Sequence, residues 1–504
     1  MFSVHSANWF SYIILVLYLP ICIYVLRSYS AVRGTLFLMF FATMFLPSRV
    51  AIDLPLLPKL GKESIAFLGI AIGLYSFHPK VFRRAGFGKP LDILIILIGV
   101  GAVLTALTNT DAIRFGTHVV PGMPPLEMFT GTLSQLIYYS LPFYLGRALI
   151  RTEEDLNDVF RALIIAGLVY TLFLTIELRL SPQLHRTLYG FHQNIFSTLN
   201  RWGGYRPMAF MESGIAVAVF MVNTLMAALA YARLGLSVGF IPIRLGAPWL
   251  FVYLILCKSV ASIVWGLIFT PLMLLLRPRA IALVAALLAM LVLTYPGLRI
   301  TNLFPWQGIV EVAASWDPDR ARSLNYRFEN DENMLVRARE RPFFGWGGYR
   351  RNWAYDETTG EHLTVPDGAW IIRFSSFGVL GFYSLYLMYI APVLLGWRRL
   401  GQIRDKHVQT MMASLMLIVI IRAVDQLPNG LYSSYPVFLG GALYTLTTSL
   451  PAEARRRKRA QQSARRGPGP ARNQPPIDPD PVPSPRSGTG PASTAELLGV
   501  RRRD

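Results

Sequence analysis

An all-α polytopic membrane protein is what this sequence predicts, on three observations. Its 504 residues are 53% hydrophobic and only 15% charged, with a mean hydropathy of +0.41. Apolar runs recur along most of its length, and Lys and Arg gather in every second connection between them. A soluble chain of this size carries more charge and fewer long apolar stretches.

The runs fall roughly at 11–26, 34–48, 64–78, 91–107, 132–149, 160–178, 209–232, 247–257, 259–276, 280–296, 369–396, 409–424 and 434–450. A bilayer core is crossed by about 17 to 25 mostly apolar residues in a helix, which predicts about 12–13 transmembrane helices. The first run lacks a basic segment before it, so it reads as a span and not as a cleaved leader. Cys22 and Cys257 both lie inside apolar runs, which leaves no disulfide framework and no metal-thiolate spacing.

Orientation follows from the basic connections. Arg27/Arg33, Lys80/Arg83/Arg84/Lys89, Arg147/Arg151/Arg161, Arg233/Arg244, Arg277/Arg279 and Arg398/Arg399/Arg404/Lys406 alternate along the chain. The positive-inside rule assigns all of them to the cytoplasm. Segments 49–63, 108–131, 179–208, 297–368 and 425–433 are then expected on the outer face. The formal net charge of +20 is accounted for by these loops and the tail, so it does not call for nucleic acid.

Four regions result: N-terminal transmembrane helices over 1–296, a large outer loop over 297–368, C-terminal transmembrane helices over 369–450, and a basic tail over 451–504. The tail holds 12 Lys/Arg against 5 acids, a net of +7, and is rich in Pro, Ser and Gly. Such a composition cannot bury a core and predicts a disordered cytoplasmic segment. Its Arg455–Arg459 cluster suits an anionic lipid surface. In the large loop, Asn325–Arg341 has the pattern of an amphipathic helix stopped by Pro342, and GWGGY at 345–349 reads as a glycine-rich turn.

Candidate chemistry concentrates in the outer segments. Segment 179–208 holds Arg179, Arg186, Arg201, Arg206, His185 and His192 with no acid, against the positive-inside tendency; a phosphate or an acidic sugar would be bound by such a set. Glu212 follows Arg206 just inside the next run, either as an ion-pair partner or as a functional carboxylate. Lys258 interrupts an apolar stretch, which suits a snorkelling side chain or a phosphate clamp. Asp367 precedes the run that contains Arg373, as a helix N-cap or as a general base for a sugar hydroxyl. Arg422, Asp425 and Asn429 form a further polar group whose spacing suits an ion pair.

Three stretches, YRPMAFMESG at 205–214, NYRFENDENMLVRARERPFFGWGGY at 325–349 and TVPDGAWIIRFSSFGVLGFY at 364–383, together resemble the O-antigen ligase/polymerase superfamily of bacterial envelope glycosyltransferases. The middle stretch resembles it best, with an Arg, a helical segment and a Pro-aromatic-Phe-Gly-Trp-Gly turn in the large loop. The resemblance covers roughly residues 160–450. It implies an inner-membrane enzyme with a periplasmic large loop. The donor would be an undecaprenyl-diphosphate-linked oligosaccharide, the reaction an inverting transfer, and no metal, cofactor or nucleotide sugar would be used.

By that resemblance Arg206 matches a diphosphate-binding basic residue, and Lys258 falls where a Ser-Arg pair is usual. Asp367-Gly368 stands where ligases carry His-Asn, which favours a polysaccharide polymerase, or a ligase acting on another acceptor, over a ligase acting on lipid A-core. Catalytic candidates are Asp367, Glu212 and Arg206; substrate-binding candidates are Arg206, Lys258, Arg201, Arg327, Tyr349 and Arg373. Trp202, Tyr205, Trp346, Tyr349 and Trp370 could stack on sugars or sit at the membrane interface. Membrane lipid and polysaccharide export or chain-length proteins are the partners implied. The competing class is a transporter or flippase of lipid-linked glycans, although no internal repeat is evident.

Overall fold

The computed structural model describes residues 7–55, 57–239 and 241–465. Helices dominate. In chain order they are α1 (Trp9–Ser28), α2 (Ala31–Phe45), α3 (Lys62–Phe77), α4 (Lys80–Ala85), α5 (Asp92–Leu107), α6 (Pro125–Gln135), α7 (Leu141–Leu149), α8 (Glu153–Leu180) and α9 (Leu184–Tyr189). There follow α10 (Gly214–Leu234), α11 (Ile243–Leu256), α12 (Val260–Leu275), α13 (Pro278–Ile300), α14 (Trp306–Trp316), α15 (Pro318–Glu340), α16 (Ala369–Arg399), α17 (Lys406–Asp425) and α18 (Tyr435–Arg465). The strands are two or three residues long and pair only as small antiparallel hairpins.

Each of the thirteen apolar runs falls largely within helix. Six helices, α1, α8, α10, α13, α16 and α17, are long and apolar enough to cross a membrane, with mean hydropathies of 1.7 to 2.3 over their best windows; α2, α5, α11 and α12 are shorter and also apolar. This is a membrane protein. The helix starts are written locally: Asn8, Ser30, Ser213 and Asp405 cap α1, α2, α10 and α17 through their side chains. Thr152 and Asp155 form a reciprocal capping box on α8. Near the middle of the bundle, α10 and α17 are the most deeply buried of the six. Glycines permit close crossings: a Cβ at Gly146 would lie 1.9 Å from the Phe438 carbonyl oxygen, and one at Gly441 2.0 Å from that of Phe143.

Several residues of the basic connections are bonded within the bundle. Arg33 pairs with Asp158, Arg147 pairs with Asp92, and Arg233 donates to the Met273 and Leu276 carbonyls. Segment 179–208 is bonded to the end of α2 through Tyr189 and the Phe45 carbonyl, segment 425–434 to the start of α3 through Ser434 N–H and Glu63, and the insert to segment 425–434 through Arg327 and Asn429.

Three boundaries differ from those read in the sequence. Helix α13 continues to Ile300, so the limit at 296 falls inside it. The insert helix begins at Pro318 instead of 325, because Pro is well placed in a first helical turn, and it ends ahead of Pro342 as expected. It is joined by α14, whose Trp306, Ile309, Val310, Ala313 and Trp316 repeat at helical spacing, a pattern the sequence reading did not use. Helix α18 runs through Pro451 to Arg465, so the first part of the stretch read as a disordered tail is helical. Residues 466–504 lie outside the described residues, and with them most of that reading.

Candidate functional site

The cation-rich segment 179–208 is organised by a two-residue hairpin, Asn200–Arg201 against Gly204–Tyr205. Its turn residues Trp202 and Gly203 both have positive φ, 50° and 68°, as a tight right-twisted hairpin requires. Arg206 leaves the hairpin and lies on Gly214 at the start of α10, where a Cβ would come within 2.4 Å of its Cδ. Its Nε donates to the Cys257 carbonyl at 3.3 Å. Lys258, itself at φ 51°, donates from Nζ to the Arg201 carbonyl at 2.9 Å. Arg201, Arg206 and Lys258 therefore converge, joining the hairpin to the α11–α12 turn.

The chain after Arg206 is held by two buried side chains of α8 that sequence reading passed over. Glu177 accepts from the Met208 and Ala209 N–H groups at 2.7 and 2.6 Å, and from Leu184 N–H at 3.1 Å. Tyr170 donates to the Met208 carbonyl and accepts from Phe210 and Met211 N–H. Their only sequence signal is a polar residue inside an apolar run.

A second group forms where the insert meets the bundle. The Asp367 carboxylate lies 3.5 Å from Arg327 Nε. It does not cap α16; Gly368 holds the N-cap position, without a side-chain cap bond. From Arg327 the contacts run on to Asn429 Oδ1 at 3.3 Å, from Asn429 to Asp425 at 2.9 Å, and from Asp425 to Arg422 at 2.8 Å. Beside them Asp331 is 5% exposed and accepts a 2.9 Å bond from Trp370 Nε1. Burial pushes its carboxyl up to about 7, against the opposing pull of the Trp370 bond and Arg299.

Of these residues Arg327, Asp331, Asp425 and Asn429 line a cavity of about 370 Å³ whose other walls are mostly apolar (Val264, Trp265, Leu291, Tyr295, Phe304, Phe328); Gly368 lines it, but Asp367 is not on its lining. Ala261, in the first turn of α12 shortly after Lys258, also lines it. Asp331 was missed in the sequence because a charged residue in an acidic helical stretch reads as solvated surface.

Other candidates lie elsewhere. Glu212 pairs with Arg49 at 3.7 Å and lines a different cavity, of about 360 Å³, so it does not join Asp367. Tyr349 donates to Glu127 on α6 at 3.0 Å. Arg373 is 6% exposed, donates to the Gly381 carbonyl and to Gln135, and lies over the Tyr139 and Phe377 rings. That guanidinium is engaged within the bundle. Among the aromatics, Trp370 is fully buried and Trp346 is clamped between Arg337 and Arg341, which removes both from sugar stacking. Trp202, Tyr205 and Tyr349 stay accessible. Among the described residues no group of three or more His, Cys, Asp or Glu is placed to hold a metal ion.

No protein-family model matches this chain, and no curated protein matches it.

Proposed function

We propose that this protein is a membrane glycosyltransferase that moves a glycan from an undecaprenyl-diphosphate-linked donor onto an acceptor hydroxyl. In this reading it polymerises surface polysaccharide at the periplasmic face of the bacterial inner membrane. The chain crosses the membrane about a dozen times, with the insert in the periplasm and the Arg- and Lys-rich end in the cytoplasm.

The observation that carries the reading is the cavity between insert and bundle, whose mostly apolar lining includes a few charged groups. Its apolar α12 and α13 side chains suit a polyprenyl chain, and its lining also includes Arg327, Asp331 and Asp425. Ligand pockets combine an apolar surface with a few converging polar groups. In the reaction, the acceptor oxygen attacks the anomeric carbon and the C–O bond to diphosphate breaks on the opposite face. The electron pair leaves with the diphosphate. Arg327, Arg206 and Lys258 offset that growing negative charge. Asp367, steered by Arg327, takes the acceptor proton.

The test is incubation of the purified protein in lipid with the host's undecaprenyl-diphosphate-linked repeat unit. A ladder of longer glycans, lost in Asp367→Asn, is the expected result. Transfer only to an added acceptor would make it a ligase. Neither product, with authentic donor, overturns the enzyme reading in favour of a flippase.

A further inference from the structure

We infer that α14 lies in the bilayer surface beside the end of α13, with Ile309, Val312 and Trp316 sunk among the lipid chains and Glu311 left in water. Its partner is a lipid surface, gripped by apolar contact and not by charge.

The sequence of α14, WQGIVEVAASW, gives the helix three faces. Trp306, Val310 and Ala313 fall on one of them and are half-buried, with the Trp306 ring 5.6 Å from that of Phe328 on α15. Gln307, Glu311 and Ser315 follow one another at i, i+4 and i+8 on the second, which is polar and exposed. Ile309, Val312 and Trp316 repeat at i, i+3 and i+7 on the third. That apolar face is exposed as well, by 40%, 64% and 87% at the three residues. One exposed apolar side chain is ordinary, but a stripe of three that ends in a nearly bare Trp calls for an apolar phase to cover it.

The neighbouring helix shows where that phase is. α13 is long and apolar enough to cross a membrane, and Leu283, Leu287 and Met290 form an exposed stripe along it that in a spanning helix faces lipid. The turn from α13 into α14 is tight. Asn302, at φ 56°, closes α13, and the Leu303 and Phe304 N–H groups both donate to the Leu298 carbonyl, at 2.9 and 3.1 Å. Phe304 folds back until its ring is 5.0 Å from that of Tyr295, which lies roughly 7.5 Å short of the helix end at Ile300. α14 therefore starts level with the last turns of α13, where hydrocarbon gives way to headgroups. Leu303, 71% exposed, carries the apolar surface from one helix to the other. Trp is favoured at that boundary, and an amphipathic helix lying there buries its apolar face. Because α14 has one acid and no Lys or Arg, anionic headgroups add nothing to its seat.

Phe304 and Phe328 both line the cavity between insert and bundle, so the seat of α14 holds that wall at the bilayer surface. The inference rests on α13 as a membrane span and not on the transferase reading.

The full chain in phosphatidylcholine nanodiscs would carry one spin label at a time, on Val312→Cys, Ser315→Cys or Trp316→Cys. All three positions are exposed, and the native Cys22 and Cys257 are buried. Collision rates would be measured with oxygen, which concentrates in the bilayer, and with a water-soluble nickel chelate. Oxygen collisions are expected to exceed chelate collisions severalfold at positions 312 and 316, with the order reversed at 315, and added anionic lipid should leave these ratios unchanged. Similar ratios at all three positions would overturn the seat. Labels at 312 and 316 shielded from both reagents would overturn it in favour of packing against a second copy of the chain. A seat that forms only with anionic lipid would overturn the apolar contact as its cause.

Discussion

Arg327 and Asp367 face each other across 3.5 Å, one from the insert helix α15 and the other from the last turn before α16. Both are partly exposed, about a third and two-fifths, so their pairing adds little to stability, on the order of 0–1 kcal/mol. Its consequence lies in holding the Asp367 carboxylate against Arg327, which lines the cavity. Asp367→Asn is expected to lower transfer at least about 100-fold, while the unfolding midpoint stays within a degree or two. A variant that transfers at the wild-type rate would remove Asp367 from the reaction.

Asp331 supplies a pH dependence with a fixed sign. Its carboxyl is raised from 3.8 to about 7 in the folded protein. Between those limits the native state holds a proton that the unfolded chain has released, so stability falls as pH rises from about 4 to 7 and levels off above. Asp331→Asn keeps an acceptor for Trp370 and removes the penalty. Thermal unfolding in detergent should show the variant more stable than wild type at pH 8, by up to about 4 kcal/mol, and equal near pH 4. Equal stability at both would mean the carboxyl titrates normally.

Gly214 tests the placement of Arg206 without changing any charge. A methyl group there would meet Arg206 Cδ at 2.4 Å and Nε at 2.6 Å, displacing the side chain from its bond to the Cys257 carbonyl. At the start of a helix Ala is otherwise favourable. Gly214→Ala should therefore fold and insert normally yet lose about tenfold or more in transfer rate, since a displacement of this size moves a charge off its target. Full activity would show that Arg206 need not sit where it does.

Gly378 breaks α16 at φ 64°, where the helix meets the glycine-rich turn of the insert. A Cβ would lie 2.3 Å from the Phe343 carbonyl carbon and oxygen, which are backbone and cannot swing aside. Gly378→Ala is expected to destabilise by at least about 2 kcal/mol, combining the left-handed conformation with the clash. Chemical denaturation in mild detergent would read it, and an unchanged midpoint would show that the kink relaxes.

The hydropathy pattern was enough to locate the helices because apolar length is a local property that a membrane selects directly. The insert helix was visible for the same reason, through its own periodicity and the stop at Pro342. Its start was less visible because PDRARSL has no continuous apolar face, whereas α14 has one, with Trp306, Ile309, Val310, Ala313 and Trp316 at helical spacing, but is too short to stand out beside the membrane-length runs.

Site assembly had no comparable local signal. The sequence determined that the chain is an apolar helical membrane protein with a polar insert and an Arg-rich segment between its apolar runs. Tertiary structure alone decided that Lys258 reaches Arg201, that Asp367 turns to Arg327 instead of capping its helix, and that Glu212 goes to Arg49. It also made a buried, raised carboxyl of Asp331, which in the sequence is one acid among several. Helix formation depends on neighbours within a few residues, whereas ion pairs and desolvation depend on which helix ends are packed side by side, and partners far apart in the chain carry no record of each other in its local pattern.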